Sequence, residues 1–397
     1  MRIAFTANGG YSHLVPLVLP IASLAQRAGH EVTVVTGPEQ APTVEVAGLS
    51  PLVLTTTPAL HHARADPEVA AELADVAPTM QPGVTTGVTP ELFARGFISV
   101  MGGRTAPELV DTLADWKPDV VLSESTEFGG YLAAQRLGIP QGVIDMAPMA
   151  PYTCEPVLTE LNQQRSRLNL PDIDDPLHPM RGFRASMIPV LFHPEHLRLS
   201  TDRHYRPPEA ASEELDPAIV ELVTDRPLAL ASLGSNAVHL YGDDPSPLDT
   251  IIETLGDLPV TAVVALGHGR DPAGWTGARP DNVHLTSFVQ QRTLLAATDI
   301  FLTHGGFNGT REALTQGVPM VVTPIGAEQP ANAARIEELG AGLRINLEDL
   351  TSDTLRPAVE RVLNDPSFRA RARGLQRETL GLPPAERLLD DLVGYIS

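Results

Sequence analysis

Short apolar segments alternate with helical segments in this chain, and that alternation restricts the possible folds more than any other feature. Residues 3–7 form the first apolar segment, a turn with Gly9 and Gly10 follows, and a helical pattern over residues 14–28 leads to an apolar segment at residues 31–36. Apolar spacings of three and four residues predict the helix, and short apolar runs predict the strands. Strands that alternate with helices build a parallel, doubly wound sheet.

The same alternation returns after residue 118 and again after the Pro207-Pro208 pair. The predicted strands in these regions are residues 119–123, 141–145, 227–232, 261–266, 284–286, 300–303, 320–323 and 343–345. The length of 397 residues is sufficient for two domains. We predict an α/β fold of two doubly wound, Rossmann-like domains, comprising residues 1–207 and 216–380, with a final helix in residues 381–397 near the domain junction.

Two stretches rich in proline interrupt this pattern. Residues 58–103 and 147–205 carry no sustained apolar period. Long irregular insertions in a compact α/β domain are usually functional loops or mobile lids. We therefore predict irregular loops here.

Charge and cysteine content argue against several classes of protein. The formal net charge is −21, which disfavours nucleic acid and anionic membranes as partners. Cys154 is the single cysteine, which rules out an internal disulfide framework or a zinc–cysteine cluster. No apolar run reaches about 18 residues and no signal-like segment precedes the first strand, so a soluble cytoplasmic protein is expected.

Histidine and aspartate clusters in the two irregular stretches could suggest a metal. Their residues are His61, His62, His193, His196, Asp172 and Asp174. No third ligand stands at a recognisable spacing from the histidine pairs, so surface or loop positions are favoured and no metal site is predicted.

The segment from Thr303 to Glu312, THGGFNGTRE, follows a predicted strand and begins a predicted helix. Glycine allows the backbone to approach a ligand closely, and the N–H groups at a helix N-terminus attract anions. The segment therefore predicts a phosphate or diphosphate site, with His304 as a side-chain donor; a tight turn capped by Asn308 is the alternative. Its spacing matches neither GxGxxG nor GxxxxGK[ST], which disfavours a hydride-transfer enzyme and a P-loop NTPase.

This segment, together with residues 288–291 (FVQQ) and Glu328-Gln329, resembles the donor-binding signature of family-1 GT-B glycosyltransferases of bacterial natural-product and antibiotic biosynthesis. The similarity extends over essentially the whole chain, including residues 9–13 (GGYSH). It implies a GT-B fold and an enzyme that uses a nucleotide diphosphate sugar, UDP- or dTDP-linked, as co-substrate. It implies no further cofactor.

The resemblance also implies donor contacts residue by residue. His304 and the backbone of the following loop would hold the diphosphate, Glu312 the ribose, Phe288 and the backbone of Val289 the base, and Glu328 and Gln329 the sugar. The residues assigned to the donor in this way are Gly234, Ser235, Phe288, Val289, His304, Gly305, Gly306, Asn308, Gly309, Thr310, Glu312, Glu328 and Gln329. The sequence departs from the family pattern where Phe288 and Phe307 replace Trp, Gln290 replaces Pro and Glu328 replaces the commoner Asp.

His13 stands at the end of the first strand-to-helix turn, where ligands approach an open α/β sheet. A neutral histidine there can act as general base toward an acceptor hydroxyl, and it needs a carboxylate to orient it. Glu124 follows the predicted strand at residues 119–123 and is the predicted partner, with Asp145, which ends a strand as well, as the second choice. The alternatives are a histidine that only packs the turn and a solvated or helix-capping carboxylate.

Apolar residues in the irregular stretches suggest a hydrophobic small-molecule aglycone as acceptor. They are Phe93, Phe97, Met146, Met149 and Phe192, and filling the core is the alternative role for each. The predicted reaction is inverting glycosyl transfer to a hydroxyl, by a monomer or homodimer. A non-catalytic activator of another transferase and a nucleotide-sugar epimerase of GT-B fold remain alternatives.

Overall fold

The computed structural model describes residues 1–56, 66–76, 83–208, 214–222, 225–234 and 247–397. Ser235, His61 and His62 lie outside the described residues. Two parallel sheets dominate the fold, as the alternation predicted.

The first sheet contains seven strands in the order β3-β2-β1-β5-β6-β7-β8, all parallel. Its strands are β1 (Arg2–Thr6), β2 (Glu31–Thr36), β3 (Ser50–Val53), β5 (Val120–Glu124), β6 (Gln141–Asp145), β7 (Phe183–Ser186) and β8 (Asp202–His204), and β4 (Thr86–Gly87) lies outside this sheet. The helices are α1 (Leu19–Arg27), α2 (Ala41–Val46), α3 (Pro67–Leu73), α4 (Arg104–Trp116), α5 (Phe128–Leu137), α6 (Glu155–Arg167) and the short α7 (Pro217–Val220). Successive residues of β1 point to opposite faces, so Phe5 and Ala4 enter different apolar clusters.

The second sheet contains six parallel strands in the order β11-β10-β9-β12-β13-β15. These strands are β9 (Leu228–Ser232), β10 (Thr261–Ala265), β11 (Val283–Thr286), β12 (Ile300–Thr303), β13 (Met320–Val322) and β15 (Gly342–Arg344). The helices are α8 (Pro247–Gly256), α9 (Gln291–Leu295), α10 (Phe307–Gln316), α11 (Gln329–Glu338), α12 (Ser352–Asn364), α13 (Pro366–Gly381) and α14 (Arg387–Ile396). The helices α5 and α10 end at Gly138 and Gly317, each with φ of 68°, which glycine adopts without a Cβ clash.

The prediction of irregular structure over residues 58–103 and 147–205 is wrong for much of both stretches. Residues 90–116 are helical, from Pro90–Phe93 through a π-helical Ala94–Gly103 into α4, and the second stretch contains α6, β7 and β8. The glycines of this helix argued against a helix in the sequence, because glycine is a poor helix former. In the structure they allow close packing between helices. A Cβ on Gly102 would lie 2.9 Å from Cβ of Phe128, and one on Gly103 would overlap the Gln164 side chain.

The two sheets are joined by the C-terminal helix and by a small bridge. Helix α14 packs on β7, where the Tyr395 and Phe183 rings lie 6.0 Å apart, and the Tyr205 hydroxyl donates to Asp391 at 2.8 Å. β4 pairs in parallel with β14 (Gly326–Ala327), which links the first half of the chain to the second. Among the described residues, none of the helices is long and apolar enough to span a bilayer.

Candidate active site at the domain junction

His13 and Glu124 lie side by side at the carboxyl ends of β1 and β5. His13 belongs to a single helical turn, Tyr11–His13, followed by a π-helical turn, Leu14–Val18. Its Nδ1 lies 3.0 Å from Oε1 of Glu124, although the two residues are 111 positions apart. The pairing of β1 with β5 brings these strand ends together.

Glu124 is fully buried, and two donors from Thr126 fix its carboxylate. The Thr126 N–H donates to Oε2 at 2.9 Å and its hydroxyl to Oε1 at 2.6 Å, while Asn8 Nδ2 donates to that hydroxyl at 2.8 Å. Burial alone would raise the pKa of Glu124, but His13 and the Thr126 hydrogen bonds outweigh it and lower that pKa. Glu124 is therefore ionised at neutral pH.

The same contact acts on His13. Burial alone would lower its pKa, but the charge and hydrogen bond of Glu124, with a smaller effect of the Glu328 charge, raise the pKa of His13 above its ordinary value. Because a carboxylate only accepts hydrogen bonds, Nδ1 carries the proton and Nε2 keeps the lone pair in the neutral ring. This arrangement is suited to a general base oriented by a carboxylate.

The second choice of partner, Asp145, is wrong. Its Oδ2 lies 2.8 Å from Arg184 and 3.2 Å from His193, so this carboxylate belongs to a separate buried cluster. Asp145 ends β6, one strand further from β1 than β5.

The predicted diphosphate segment forms the turn between β12 and α10. Gly305 has φ of 80°, and Gly306 precedes the first helical residue, Phe307. Asn308 and Gly309 are the second and third helical residues, whose N–H groups have no acceptor within the helix. Thr310 differs from the expectation: its N–H already donates to the Gly306 carbonyl at 3.0 Å, and its side chain is buried.

His304 lies beneath this turn, between two glycines. A Cβ on Gly234 would approach His304 Cε1 to 2.6 Å, and one on Gly306 would approach Nε2 to 2.5 Å. Burial lowers the pKa of His304 to about 4, against a weaker opposing hydrogen bond with the backbone of Ser232. His304 is therefore neutral at pH 7 and can offer an N–H but no positive charge.

Glu328 and Gln329 lie next to the same helix N-terminus. Glu328 Oε1 accepts the N–H of Phe307 at 3.3 Å, and burial raises the pKa of this carboxyl against weaker opposing contacts. The side-chain oxygen of Gln329 accepts the N–H groups of Ile325 and Gly326 at 2.9 and 3.0 Å. Gln329 thus holds the loop beside the site and keeps its amide nitrogen for other contacts.

The residues predicted to bind the nucleoside come from two places in the second half of the chain, the loop after β11 and helix α10. Phe288 is 42% exposed, and its ring stacks on His268 with centroids 4.5 Å apart. Val289 is buried. Glu312 accepts a hydrogen bond from the Gln291 side-chain amide at 2.8 Å. An exposed aromatic face at Phe288 is able to stack on a base.

Two contacts that the sequence did not predict connect helix α10 to the turn that carries His13. Asn308 Nδ2 donates to the Ser12 carbonyl at 2.8 Å, and Arg311 donates to the Pro16 carbonyl at 2.9 Å. Arg311 is 6% exposed, and burial lowers its pKa to about 10 against the opposing charge of Glu312. The sequence offered one signal for this contact, an arginine in the first turns of the helix that follows the glycine turn. Its partner could not be predicted, because Pro16 lies 295 residues away in the sequence.

The residues predicted to line an acceptor pocket are mostly interior. Phe93 packs against the Phe97, Phe128 and Tyr152 rings, with centroids 5.2 to 6.0 Å apart, which makes it a core residue. Met146 and Phe192 are buried as well, while Phe97 and Met149 are partly buried at the edges of apolar clusters. Phe97 and Met149 thus remain the better candidates for contact with a ligand.

Comparisons with known proteins identify the family and the fold of the chain. Residues 24–172 and 249–394 match the N-terminal and C-terminal domain models of the erythromycin biosynthesis protein CIII-like family. The demethyllactenocin mycarosyltransferase of Streptomyces fradiae is 30% identical over 73% of this chain and 67% of its own length. The NDP-glycosyltransferase YjiC of Bacillus licheniformis is 27% identical over 100% of this chain and 98% of its own. The structure of the glycosyltransferase VinC in complex with dTDP superposes with a TM-score of 0.75 at 21% identity, covering 100% and 99% of the two chains.

Proposed function

The chain belongs to the erythromycin CIII-like, family-1 GT-B glycosyltransferases of bacterial natural-product biosynthesis, and from that premise we propose that it transfers a sugar with inversion to a hydroxyl of a hydrophobic small molecule. The observation that carries the mechanism is the contact of His13 Nδ1 with Glu124 at 3.0 Å, beside the N-terminus of α10.

In this proposal Nε2 of His13 removes the proton of the acceptor hydroxyl. The acceptor oxygen forms a bond to the anomeric carbon while the bond from that carbon to the diphosphate oxygen breaks, and the nucleotide diphosphate leaves with the electron pair. Glu124 orients the ring and stabilises the imidazolium that forms. One displacement at the anomeric carbon inverts its configuration.

Lys117 is the single lysine of the sequence, and it lies between α4 and the start of β5, whereas the proposed diphosphate site follows the carboxyl end of β12. With a net charge of −21, attraction for the donor has to be local. We assign it to the N–H groups of Gly306, Asn308 and Gly309, to the helix dipole, and to the neutral ring of His304. Glu328 and Gln329 are assigned to the transferred sugar, and Glu312 with Phe288 to the nucleoside.

Residues 1–207 are the proposed acceptor domain and residues 216–380 the proposed donor domain, with the final helix returning to the first sheet. The donor nucleotide is UDP or dTDP. A glutamate such as Glu312 favours a ribose with two hydroxyls, hence UDP, whereas the dTDP bound by VinC favours dTDP. Thermal unfolding with UDP and with dTDP at equal concentration distinguishes the two donors, because the nucleotide that binds more tightly raises Tm more.

The test of the catalytic assignment is His13→Ala. We expect transfer from the donor to fall about 10²- to 10⁴-fold, the usual contribution of a general base, with the Tm increase by nucleotide unchanged. His196→Ala is the matched control, because this histidine is exposed in the same half of the chain. Unchanged turnover in His13→Ala would disprove the role of His13.

The two alternatives give different results in the same assay. An activator protein shows nucleotide protection without turnover in the wild type. An epimerase converts the donor to an isomeric nucleotide sugar when no acceptor is present.

A further inference from the structure

A second histidine cluster lies at the carboxyl ends of β6, β7 and β8, away from His13. The strand register places Asp145, Ser186 and His204 in one row, and Arg184 opposite Asp202 two rows before it, on the same face of the sheet. His193 follows the short helix Val190–Phe192 and is fully buried. The sequence predicted a surface or loop position for His193; it does lie in a loop, but its side chain is buried and not at the surface.

Three residues of this cluster are arranged like metal ligands. His193, Asp202 and His204 each offer one ligand atom, and these atoms lie within 4.8 Å of one another. The two imidazole rings lie 5.0 Å apart between centroids. Two histidines with a carboxylate form a common ligand set for zinc.

The tautomer of His193 leaves one nitrogen for a ligand. Nε2 lies 3.2 Å from Asp145 Oδ2 and 3.2 Å from the Ser186 hydroxyl. A proton on Nε2 avoids repulsion between its lone pair and the carboxylate, so Nδ1 holds the lone pair of the neutral ring. Within the described structure, Nδ1 of His193 is buried and has no hydrogen-bond partner.

His204 is oriented in a complementary way. Its Nδ1 lies 3.0 Å from the carbonyl oxygen of Ile188, a contact that requires the proton on Nδ1 and leaves the lone pair on Nε2. Histidines that bind metals usually donate their other N–H to a carboxylate or a backbone carbonyl, as both rings do here.

The remaining polar atoms leave room for a cation. Each Asp202 oxygen accepts one hydrogen bond, from Arg184 at 3.2 Å and from the Leu199 N–H at 2.8 Å, so each retains a lone pair. Asp145 Oδ1 and Arg184 Nε are buried without partners in the described part of the chain. The two carboxylates and one guanidinium sum to a charge of −1, which a divalent cation would reverse.

We propose that His193, Asp202 and His204 bind a divalent transition metal of the zinc type, with a structural role separate from glycosyl transfer. Zinc–nitrogen bonds are about 2.0–2.1 Å long, a scale compatible with ligand atoms that lie within 4.8 Å of one another. Asp145 then acts as the carboxylate that orients His193.

The position of the cluster indicates what the metal would stabilise. The carbonyls of Leu191 and Phe192, directly before His193, accept hydrogen bonds from Arg335 of α11, with the Phe192 contact at 3.0 Å. The Leu191 N–H donates to Glu378 of α13 at 3.0 Å. A metal on His193 would therefore fix one of the segments through which the first half of the chain contacts the second.

The experiment uses the full-length protein, freed of metal with a chelator and then dialysed, and titrated with ZnCl₂ by calorimetry. We expect one equivalent of zinc to bind and Tm to rise, and Co²⁺ to give the visible absorption of a tetrahedral site with nitrogen and oxygen ligands. H204Q is the decisive variant: we expect it to lose zinc binding, and it should fold because His204 is only partly buried. H193Q should lose zinc binding as well. H196Q is the control that retains binding.

Two results would overturn the proposal. One is the absence of zinc binding in a wild type whose Tm still rises with nucleotide, which would mean that the cluster is only a buried hydrogen-bonded network. The other is a wild-type stoichiometry in H204Q, which would place the zinc elsewhere on the chain. A nucleotide-induced rise in Tm shows that H204Q is folded.

Discussion

His13 and His193 each stand beside a buried carboxylate at the end of a strand, yet the pKa values of the two rings are displaced in opposite directions. The side chain of His13 is 20% exposed and faces Glu124, which has no arginine beside it among the described contacts. The charge of Glu124 therefore raises the pKa of His13. His193 is fully buried, and Arg184 already neutralises Asp145 at 2.8 Å, so burial and the positive charge of Arg184 lower its pKa.

The difference shows that a histidine–carboxylate pair has no fixed chemistry. A lone carboxylate favours the imidazolium, which suits a base that accepts a proton. A carboxylate that is already paired keeps the ring neutral, which suits a metal ligand or a structural hydrogen bond. The charge next to the carboxylate decides between the two.

Replacing Glu124 with Gln tests the first half of this comparison and has the largest expected effect. We expect kcat/KM to fall about 10²- to 10⁴-fold, because the ring loses the group that orients it and stabilises its charge. Measurement of kcat/KM against pH gives a second result. In the wild type, activity should fall below a pKa that lies above about 6.5, since His13 must be neutral to act. In Glu124→Gln the charge that raised this pKa is gone, so the acidic limb moves to lower pH.

Glu124→Asp is the companion variant. It keeps the negative charge at a different distance, so the acidic limb should stay closer to that of the wild type. If the acidic limb of Glu124→Gln coincides with that of the wild type, Glu124 does not act through His13.

Replacing Arg184 with Met tests the second half. The change leaves Asp145 and Asp202 as buried charges without their partner, and breaking a buried ion pair costs about 3–5 kcal/mol. Urea unfolding of the metal-free protein measures the loss. The control is Arg181→Met, whose partly exposed ion pair with Asp175 is worth about 0–1 kcal/mol. Equal losses in the two variants would show that Arg184 does not neutralise the cluster.

Replacing Thr126 with Val has the smallest expected effect. The variant removes the hydroxyl that donates to Glu124 and accepts from Asn8, which should lower the free energy of unfolding by about 1–3 kcal/mol. Thr36→Val is matched to it, because that buried hydroxyl has no partner in the described structure and its loss should cost little. Thermal or urea unfolding compares the two variants, and a larger loss in Thr36→Val would contradict the assignment.

Much of the fold could be read from local signals. Apolar alternation placed β2 at residues 31–36, β6 at residues 141–145 and β12 at residues 300–303 without error. The two-domain α/β class is confirmed by the parallel sheets and by the solved glycosyltransferases that superpose on the whole chain.

The failures at Gly102, Gly103 and His193 share one cause, which is that the role of the residue depended on a distant neighbour, whereas the failure at Thr310 is local. Gly102 and Gly103 read as loop residues, but they allow a helix to pack closely on Phe128 and Gln164. Thr310 read as a phosphate donor, but the helix begins at Phe307 and uses its N–H internally. His193 read as a surface or loop histidine, because its contact with Asp145 at 3.2 Å joins residues far apart in the sequence and cannot be seen from spacing.

The sequence by itself determined much of the order of strands and helices outside the two proline-rich stretches, the glycine turn before α10 and the presence of His13 and Glu124 near strand ends, because these follow from local periodicity and turn chemistry. Only the tertiary structure decided that Glu124 rather than Asp145 faces His13, and that Arg184 forms an ion pair with Asp145. Both outcomes depend on which strand lies next to β1 and on which side chains share a row of the sheet. Such long-range packing sets the local charge, and the local charge sets what each histidine can do.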